Sequence, residues 1–198
     1  MNATGVLEEV SAAFGLGLAE LTQRASKVPV GCDGLLLIPY LSGERVPDLP
    51  LATGSLEGIQ RGHLQPGVLF RAALEGVALN LAWGVERLRA LGFDIERVRA
   101  VGGGAQNELW LSILADCLDA VVEPCAEPES AALGGALQSV WTCARASGEQ
   151  RSIDSIAQPH VRLAGAPIAP DPVRARRYAE LGRDFRQRVQ QRFGVERG

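Results

Sequence analysis

Three consecutive glycines, Gly102–Gly104, lie between a short apolar run and a predicted helix, and Asn107 stands where that helix begins. Glycine adopts backbone angles closed to other residues and leaves no side chain between the main chain and a ligand. An asparagine at a helix start can cap the free amides or bind a ligand there. The pattern therefore allows either a ligand-binding loop or a tight strand-to-helix turn with an asparagine cap.

Known nucleotide and catalytic motifs match this sequence only in part. Gly102 and Gly104 match the first half of a dinucleotide fingerprint, and Glu123 follows at the distance of a ribose-binding acid, but Asn107 replaces the third glycine. A Walker phosphate loop is excluded because no Gly-Lys-Ser/Thr occurs. No GxSxG is present, and both histidines lie in loop-like segments, so no nucleophile–histidine–acid set is indicated.

Composition and charge exclude several classes of protein. The chain has 198 residues, of which 46% are hydrophobic, and its net charge is -3, as is typical of one soluble globular domain. Nucleic-acid binding needs a surplus of Lys and Arg, which is absent. The first residues lack the pattern of a signal peptide, and the apolar runs are shorter than a membrane span. We expect a cytoplasmic protein with no nucleic-acid and no membrane partner.

The cysteines do not follow a metal-binding pattern. Cys32, Cys117, Cys125 and Cys143 have no CxxC spacing. They are predicted to be buried, reduced thiols, and no metal site is assigned.

The elements on either side of the glycines indicate an α/β fold. Residues 97–101 and 120–124 are predicted strands, and the helical period from Leu109 to Leu118 lies between them. A third helix is predicted to start at Pro128, and its Gly134 and Gly135 are expected to let it approach the sheet. Alternation of strand and helix is typical of a parallel sheet with crossover helices.

The segments before the glycines are predicted to be largely helical. The period over Val6–Ala25 is interrupted by two glycines and predicts one helix with a loosened middle or two shorter ones. Gly34–Tyr40 predicts a strand buried on both faces, followed by a long connection that contains Glu44 and Arg45. From Pro66 to Gly92 the small and apolar residues predict a helix packed on more than one side.

The last segment begins as a proline-rich connection and ends as a helix. Asp171 followed by Pro172 is typical of a helix start. The predicted apolar stripe consists of Tyr178, Leu181, Phe185 and Val189. The arginines around it are predicted to form a solvated face rather than a site for an anionic partner; they are Arg174, Arg176, Arg177, Arg183, Arg186 and Arg188.

Three segments in this order resemble the C-terminal domain of the FGGY carbohydrate kinases, and most closely their xylulokinase branch. They are "LLLIPYLSGERVP" over Leu35–Pro47, "GSLEGIQRGHLQPGVLFRAALEG" over Gly54–Gly76, and "GGGAQNELWLSILADCLDAVVEP" from Gly102. The second segment departs from the family pattern at Val68, where a polar residue is usual. The resemblance extends from about Gly5 to Ala146.

The resemblance implies an actin-like ATPase, ribonuclease H-like C-terminal domain, with a mixed sheet and flanking helices. Residues 1–150 would form the nucleotide-binding domain, without its opening strands, and residues 151–198 a connection and a helix docked on the same domain. It further implies ATP and Mg²⁺, and transfer of the γ-phosphoryl group to a ketose hydroxyl. The segment Pro39–Pro47 favours xylulose as the sugar.

The same resemblance assigns roles within the glycine loop. Gly103 and Gly104 would let the backbone lie along the adenine and ribose, and Asn107 would hydrogen-bond the adenine. Gly102 and Ala105 would shape the loop. These assignments favour an ATP-binding loop over a plain turn.

The resemblance also implies which parts of a kinase these residues do not hold. The family's Asp-x-Gly-Thr phosphate loop and its Gly-x-x-Asp segment, which carries the catalytic Asp, have no counterpart here. Asp33, Asp48 and Asp94 lie outside that motif context, so no catalytic residue and no metal ligand are assigned. We expect a truncated kinase piece, with Met1 an internal methionine of a longer parent and no kinase activity alone.

Two further expectations concern binding and assembly. Without triphosphate contacts, nucleotide affinity should be no better than about millimolar. An uncovered sheet edge should favour self-association, with a homodimer as the expected form. Two alternative functions stay open: a non-catalytic interaction module derived from the kinase fold, and an NAD-binding half-domain.

Overall fold

A computed structural model of the chain describes residues 3–127 and 129–194. The helices and strands within these residues are, in chain order, α1 (Thr4–Phe14), α2 (Leu18–Ala25), β1 (Leu36–Ile38), β2 (Ser55–Glu57), α3 (Pro66–Ala90), β3 (Arg97–Ala100), α4 (Glu108–Leu118), β4 (Val121–Pro124), α5 (Ser130–Ala146), α6 (Ile153–Ala157) and α7 (Pro172–Phe193). Short 3-10 turns occur at Cys32–Gly34, Gly103–Gln106 and Gln158–His160.

The described strands form two separate two-stranded sheets. β3 and β4 are parallel, with Arg97 opposite Val121, and α4 connects them as the strand–helix–strand pattern predicts. β1 is buried as expected, but it pairs antiparallel with β2, which lies in the segment predicted to be a long connection. The α/β class is therefore confirmed, with its strands divided between two small sheets in this part of the chain.

The helix α3 forms the centre of the fold. It packs against α1, α2, α4, α7 and β1, so it is buried on several faces as predicted. A Cβ atom on Gly76 would lie 2.2 Å from the carbonyl oxygen of Leu37, and glycine therefore allows α3 to contact β1. α3 is long and apolar enough to cross a membrane, but 61% of its most apolar window is buried within the protein, as in a core helix.

Two glycines divide the first helical segment. Gly15 has a φ of 61° and ends α1 in the left-handed conformation that glycine adopts at low cost. Gly17 is extended and precedes α2. The segment therefore forms two helices rather than one.

The last helix begins as its sequence predicts. The Asp171 carboxylate accepts hydrogen bonds from the backbone N–H groups of Val173 and Arg174, both at 2.9 Å. Both bonds lower the pKa of Asp171, and the bond from Arg174 has the larger effect. Of the predicted stripe, Tyr178, Phe185 and Val189 are buried and Leu181 is half-buried, where α7 packs on α3 and α4.

The arginines of α7 are only partly a solvated face. Four of the six pair with carboxylates of the same chain: Arg174 with Asp116, Arg177 with Glu180, Arg186 with Glu86, and Arg188 with Asp184 and Glu57. Asp116 is buried, and its pair with Arg174 at 2.6 Å ties the start of α7 to α4. Asp116, Glu86 and Glu57 lie outside α7, so the sequence of α7 does not show these pairs. The pairs with Glu180 and Asp184 have helical spacings of three and four residues and were overlooked.

Two expectations about α5 and the cysteines are wrong. No atom of the described residues lies within 4 Å of a Cβ placed on Gly134 or Gly135, and α5 packs against α6 rather than against a sheet. Its predicted start, Pro128, lies outside the described residues. The four cysteines are free, but Cys32 alone is buried and Cys143 is exposed.

Candidate functional site

A cleft of about 1040 Å³ lies between the two N-terminal helices and the glycine loop. Residues of α1 and α2 line one side, the loop and the first turn of α4 line the other, and Phe70 of α3 also lines it. Small-molecule sites typically enclose about 300–1,000 Å³. The cleft is therefore large enough for a nucleotide-sized ligand.

The backbone at the start of the loop requires glycine. Gly102 has φ 82° and ψ −176°, a combination essentially limited to glycine. The chain then forms a 3-10 turn, in which Ala105 N–H donates to the Gly102 carbonyl at 3.0 Å and Asn107 N–H donates to the Gly104 carbonyl at 3.1 Å. Gly102 thus turns the chain from β3 toward α4.

Gly104 is required for a different reason. A Cβ atom there would lie 2.0 Å from the indole ring of Trp110, so only glycine lets this ring lie against the loop. Trp110 is 7% exposed, and its Nε1 is buried without an acceptor among the described residues. A buried N–H without an acceptor costs about 1–3 kcal/mol.

Asn107 caps α4, as one of the two initial interpretations of the loop predicted. Its Oδ1 accepts from the backbone N–H of Trp110 at 3.1 Å. Its Nδ2 donates to Oγ1 of Thr22 on α2 at 2.8 Å. The side chain therefore joins the two sides of the cleft.

The five predicted site residues divide into two groups. Gly103, Gly104 and Asn107 line the cleft. Gly102 and Ala105 do not line it; they form the turn that precedes it, and Ala105 is buried. The loop brings the first group together on one side of the cleft.

Sequence analysis missed the side of the cleft formed by α1 and α2. The polar residues there are Thr4, Glu8, Thr22, Gln23 and Ser26. A signal was present, since Leu18, Thr22 and Ser26 are four residues apart and share one helix face beside the buried Leu21 and Ala25. Glu8 and Glu108 are the charged residues among those that line the cleft, which include no Arg or Lys.

The segment from Pro39 to Pro47 is held by a chain of hydrogen bonds away from this cleft. Tyr40 donates to Asn80 Oδ1 at 2.8 Å, and Asn80 Nδ2 donates to Glu44 at 3.3 Å. Glu44 also accepts from the backbone N–H of Arg45 at 2.7 Å. Glu44, rather than the exposed side chain of Arg45, anchors the loop.

A buried polar cluster lies in the second segment, where α3 meets α7. The Glu75 carboxylate accepts from Arg71 Nε at 2.7 Å and from the Tyr178 hydroxyl at 2.8 Å. It also accepts from Gly31 N–H, at 3.1 Å from Oε2. Arg71 Nη2 donates to the Tyr178 hydroxyl at 2.8 Å. This Glu75 cluster is internally satisfied and lies outside the cleft.

Other acidic residues do not contribute to the cleft. Glu123 pairs with Arg97 at 2.5 Å and with Arg99 at 3.6 Å across the β3–β4 pair, so it is not available as a ribose-binding acid. Asp33, Asp48 and Asp94 are exposed, and none lines the cleft. In the described ranges no three His, Cys, Asp or Glu side chains form a potential metal site.

These features suit the nucleoside part of a nucleotide better than its phosphates. An indole edge, exposed glycine backbone and an amide match a base and a ribose. A phosphate chain is negatively charged, whereas the residues that line the cleft include two carboxylates, Glu8 and Glu108, and no Arg or Lys. The lining of the cleft is therefore better suited to an uncharged, nucleoside-like group than to a phosphate chain.

Known proteins are similar to most of this chain. The family model described as "FGGY family of carbohydrate kinases, C-terminal domain" matches residues 3–143. The chain is 34% identical over 141 residues to the xylulose kinase of Haemophilus influenzae, covering 71% of this chain and 29% of that protein. It is 34% identical over 153 residues to the gluconokinase of Bacillus subtilis, covering 75% of this chain and 29% of that protein.

A solved structure is similar over nearly the whole chain. The crystal structure of xylulose kinase from Rhodospirillum rubrum matches with a TM-score of 0.81 and 34% identity, covering 95% of this chain and 38% of that one. The chain therefore spans well under half the length of the relatives that it matches.

Proposed function

The chain belongs to the FGGY family of carbohydrate kinases, and we propose that it supplies the nucleotide-binding, C-terminal part of an ATP-dependent sugar kinase. The observation that carries this proposal is the cleft in which Gly103, Gly104, Asn107 and Trp110 face α1 and α2. The reaction is transfer of the γ-phosphoryl group of ATP to a sugar hydroxyl. Such reactions depend on positioning and charge stabilisation more than on covalent chemistry.

The proposed sugar is xylulose. The segment Pro39–Pro47 and the relatives named xylulose kinase support it. Gluconate is the alternative acceptor, because a gluconokinase is also 34% identical to this chain. We further propose a cytoplasmic enzyme of xylose metabolism.

In the proposed complex, the adenosine lies against the glycine loop. No atom of the described residues lies within 4 Å of a Cβ placed on Gly103, so the backbone there is open to the base and ribose. The Asn107 amide pairs with the purine edge, and the Trp110 ring, which lines the cleft, contacts the nucleoside. Gly102 and Ala105 hold the turn that presents these groups.

We assign the phosphate contacts, the Mg²⁺ ligands and the catalytic base to residues outside this cleft. When bound with ATP, Mg²⁺ would neutralise charge on the phosphates. We also propose that residues 1–150 form the nucleotide-binding domain, with α7 of residues 151–198 docked on it. Homodimerisation through β3 is supported by its pairing, because in the described residues β3 forms a ladder with β4 alone.

The test is titration of AMP into the isotopically labelled chain, followed by NMR. We expect a dissociation constant of about 1 mM, with shifts concentrated at Gly103, Gly104 and the Trp110 indole N–H. Asn107→Ala should weaken binding about tenfold, because one bidentate amide–base pair contributes roughly 1–3 kcal/mol.

The matched control is Asn80→Ala, which removes an amide that bonds Tyr40 and Glu44 outside the cleft. It should leave the AMP affinity unchanged. Equal affinities for the unsubstituted chain and the Asn107 variant, or shifts confined to other surfaces, would contradict the proposed site.

A further inference from the structure

The Asn107 amide is held at both of its ends. The backbone N–H of Trp110 can only donate, so the atom of Asn107 that faces it at 3.1 Å must be the amide oxygen. The amide nitrogen then faces Thr22 Oγ1 at 2.8 Å. Of the two ways in which the amide could be placed, with its oxygen and nitrogen exchanged, one satisfies both the Trp110 N–H and Thr22 Oγ1.

The Thr22 hydroxyl is itself oriented. Its Oγ1 donates to the carbonyl oxygen of Leu18, one turn earlier on α2, at 2.8 Å. Since a hydroxyl has one hydrogen, Oγ1 is left to accept from Asn107. If the amide turned over, its N–H group would face the Trp110 N–H, and two donors would oppose each other. The amide oxygen would then face Thr22, whose hydroxyl would have to release the Leu18 carbonyl to donate to it.

The held amide keeps one N–H and one oxygen lone pair without a partner in the described residues, because an amide carries two of each. Adenine offers a donor, its 6-amino group, beside a ring-nitrogen acceptor, and one amide can pair with both. A 6-oxopurine offers an acceptor at position 6 and a donor at ring nitrogen 1, the reverse order. An amide free to turn over could pair with either base, whereas an amide held in place accepts one of them.

We propose that Thr22 is a positioning residue that holds the Asn107 amide in the orientation complementary to adenine, and that it thereby sets the preference of the cleft for 6-aminopurines over 6-oxopurines. This inference rests on the proposed nucleotide-binding function of the same cleft. Thr22 lines the cleft on α2, 85 residues before Asn107 in the chain. It acts through Asn107 rather than on the phosphoryl group.

The experiment compares AMP with IMP, which differ at position 6 and ring nitrogen 1 and carry the same phosphate. For the unsubstituted chain we expect AMP to bind about tenfold more tightly than IMP. Thr22→Val keeps the shape of the side chain and removes the hydroxyl. It should lower this ratio to about threefold, since one of the two bonds that hold the amide is lost.

Two variants serve as controls. Thr22→Ser restores a hydroxyl and should restore the preference to near tenfold. Thr142→Val removes the same kind of bond on α5, where Oγ1 donates to the Gln138 carbonyl at 2.9 Å, and should not change the ratio. Thermal unfolding of each variant shows that the effect is on selectivity and not on folding.

The outcomes separate this inference from the proposed function. If Asn107→Ala abolishes the AMP preference while Thr22→Val leaves it at tenfold, the positioning role is wrong and the nucleotide site stands. If neither AMP nor IMP perturbs the cleft, the proposed function fails, and this inference with it. A fall in the ratio for Thr22→Val that Thr22→Ser does not restore would also overturn the positioning role.

Discussion

The Glu75 cluster and the cleft at Asn107 are both built from polar groups on helices, but they use those groups in opposite ways. In the cluster the Glu75 carboxylate, 4% exposed, accepts from three different elements of the fold. Burial raises the pKa of the Tyr178 hydroxyl, which therefore stays protonated and donates. In the cleft, half of the Asn107 amide has no partner in the described residues.

The difference separates a stabilising polar group from a binding one. A buried polar group that is fully paired adds rigidity, whereas one left unpaired keeps its capacity to bond a ligand. The cluster also holds a strained turn, because Gly31, Cys32, Asp33 and Gly34 all have positive φ and Gly31 N–H bonds Glu75. Left-handed backbone at a residue with a Cβ costs about 1–2 kcal/mol, so the turn depends on such support.

The largest effect is expected from a substitution that removes the negative charge of the Glu75 cluster. Glu75→Gln keeps the shape of the side chain but leaves the Arg71 guanidinium buried without its counter-charge, with a side-chain exposure of 7%. Removing one partner of a buried pair typically costs about 3–5 kcal/mol. We expect that loss in the free energy of unfolding, measured by urea denaturation at constant m-value.

The control for this variant is Glu180→Gln. Glu180 pairs with Arg177 on the surface of α7, and both side chains are more than half exposed. Its loss should cost less than about 0.5 kcal/mol. A cost below about 1 kcal/mol for Glu75→Gln would show that the cluster is not a stabilising element.

A smaller effect is expected from Gly104→Ala in the cleft. The new methyl would lie 2.0 Å from the Trp110 ring, and the indole must move. Overpacking of this kind costs about 1–3 kcal/mol in the free energy of unfolding. The AMP affinity should also fall about tenfold, because Trp110 lines the cleft and its backbone N–H orients the Asn107 amide.

Gly103→Ala is the matched substitution for comparison. The space around a Cβ at Gly103 is open, so the free energy of unfolding should change by less than about 0.5 kcal/mol. Urea denaturation of both variants measures this contrast. Equal destabilisation by the two substitutions would mean that the Trp110 contact does not determine the need for glycine.

The smallest expected effect concerns charge in the cleft. Glu8 and Glu108 line it and are exposed, so they repel phosphates without a nearby cation to offset them. Replacing both with glutamine should raise the affinity for ATP relative to adenosine by about two- to threefold at low salt. Screening should remove most of this gain at about 1 M salt, where the Debye length is about 3 Å.

Glu9→Gln provides the control for this variant. Glu9 is an exposed carboxylate on α1 that does not line the cleft. It should leave the ratio of the ATP and adenosine affinities nearly unchanged. Calorimetric titration of both ligands measures this ratio. A parallel gain for adenosine and ATP in the double variant would rule out an electrostatic cause.

Local sequence signals predicted the long helices and the glycine loop well. α3, α4 and α7 carry strong helical periods, and Asn107 and Asp171 cap their helices as expected. Strand β2 was missed because three residues in a glycine-rich connection carry no periodic signal, and its pairing depends on β1. The expectation for Gly134 and Gly135 was wrong because small residues permit close packing but do not specify a partner.

By itself, the sequence determined the family resemblance, the α/β class and the loop side of the cleft, since glycine conformations and helix caps depend on neighbouring residues. Only the tertiary structure decided that Thr22 on α2 bonds Asn107, and that Tyr178 on α7 bonds Glu75. Those contacts join residues 85 and 103 positions apart in the chain. Their partners are selected by the packing of whole helices, and no local pattern records that packing.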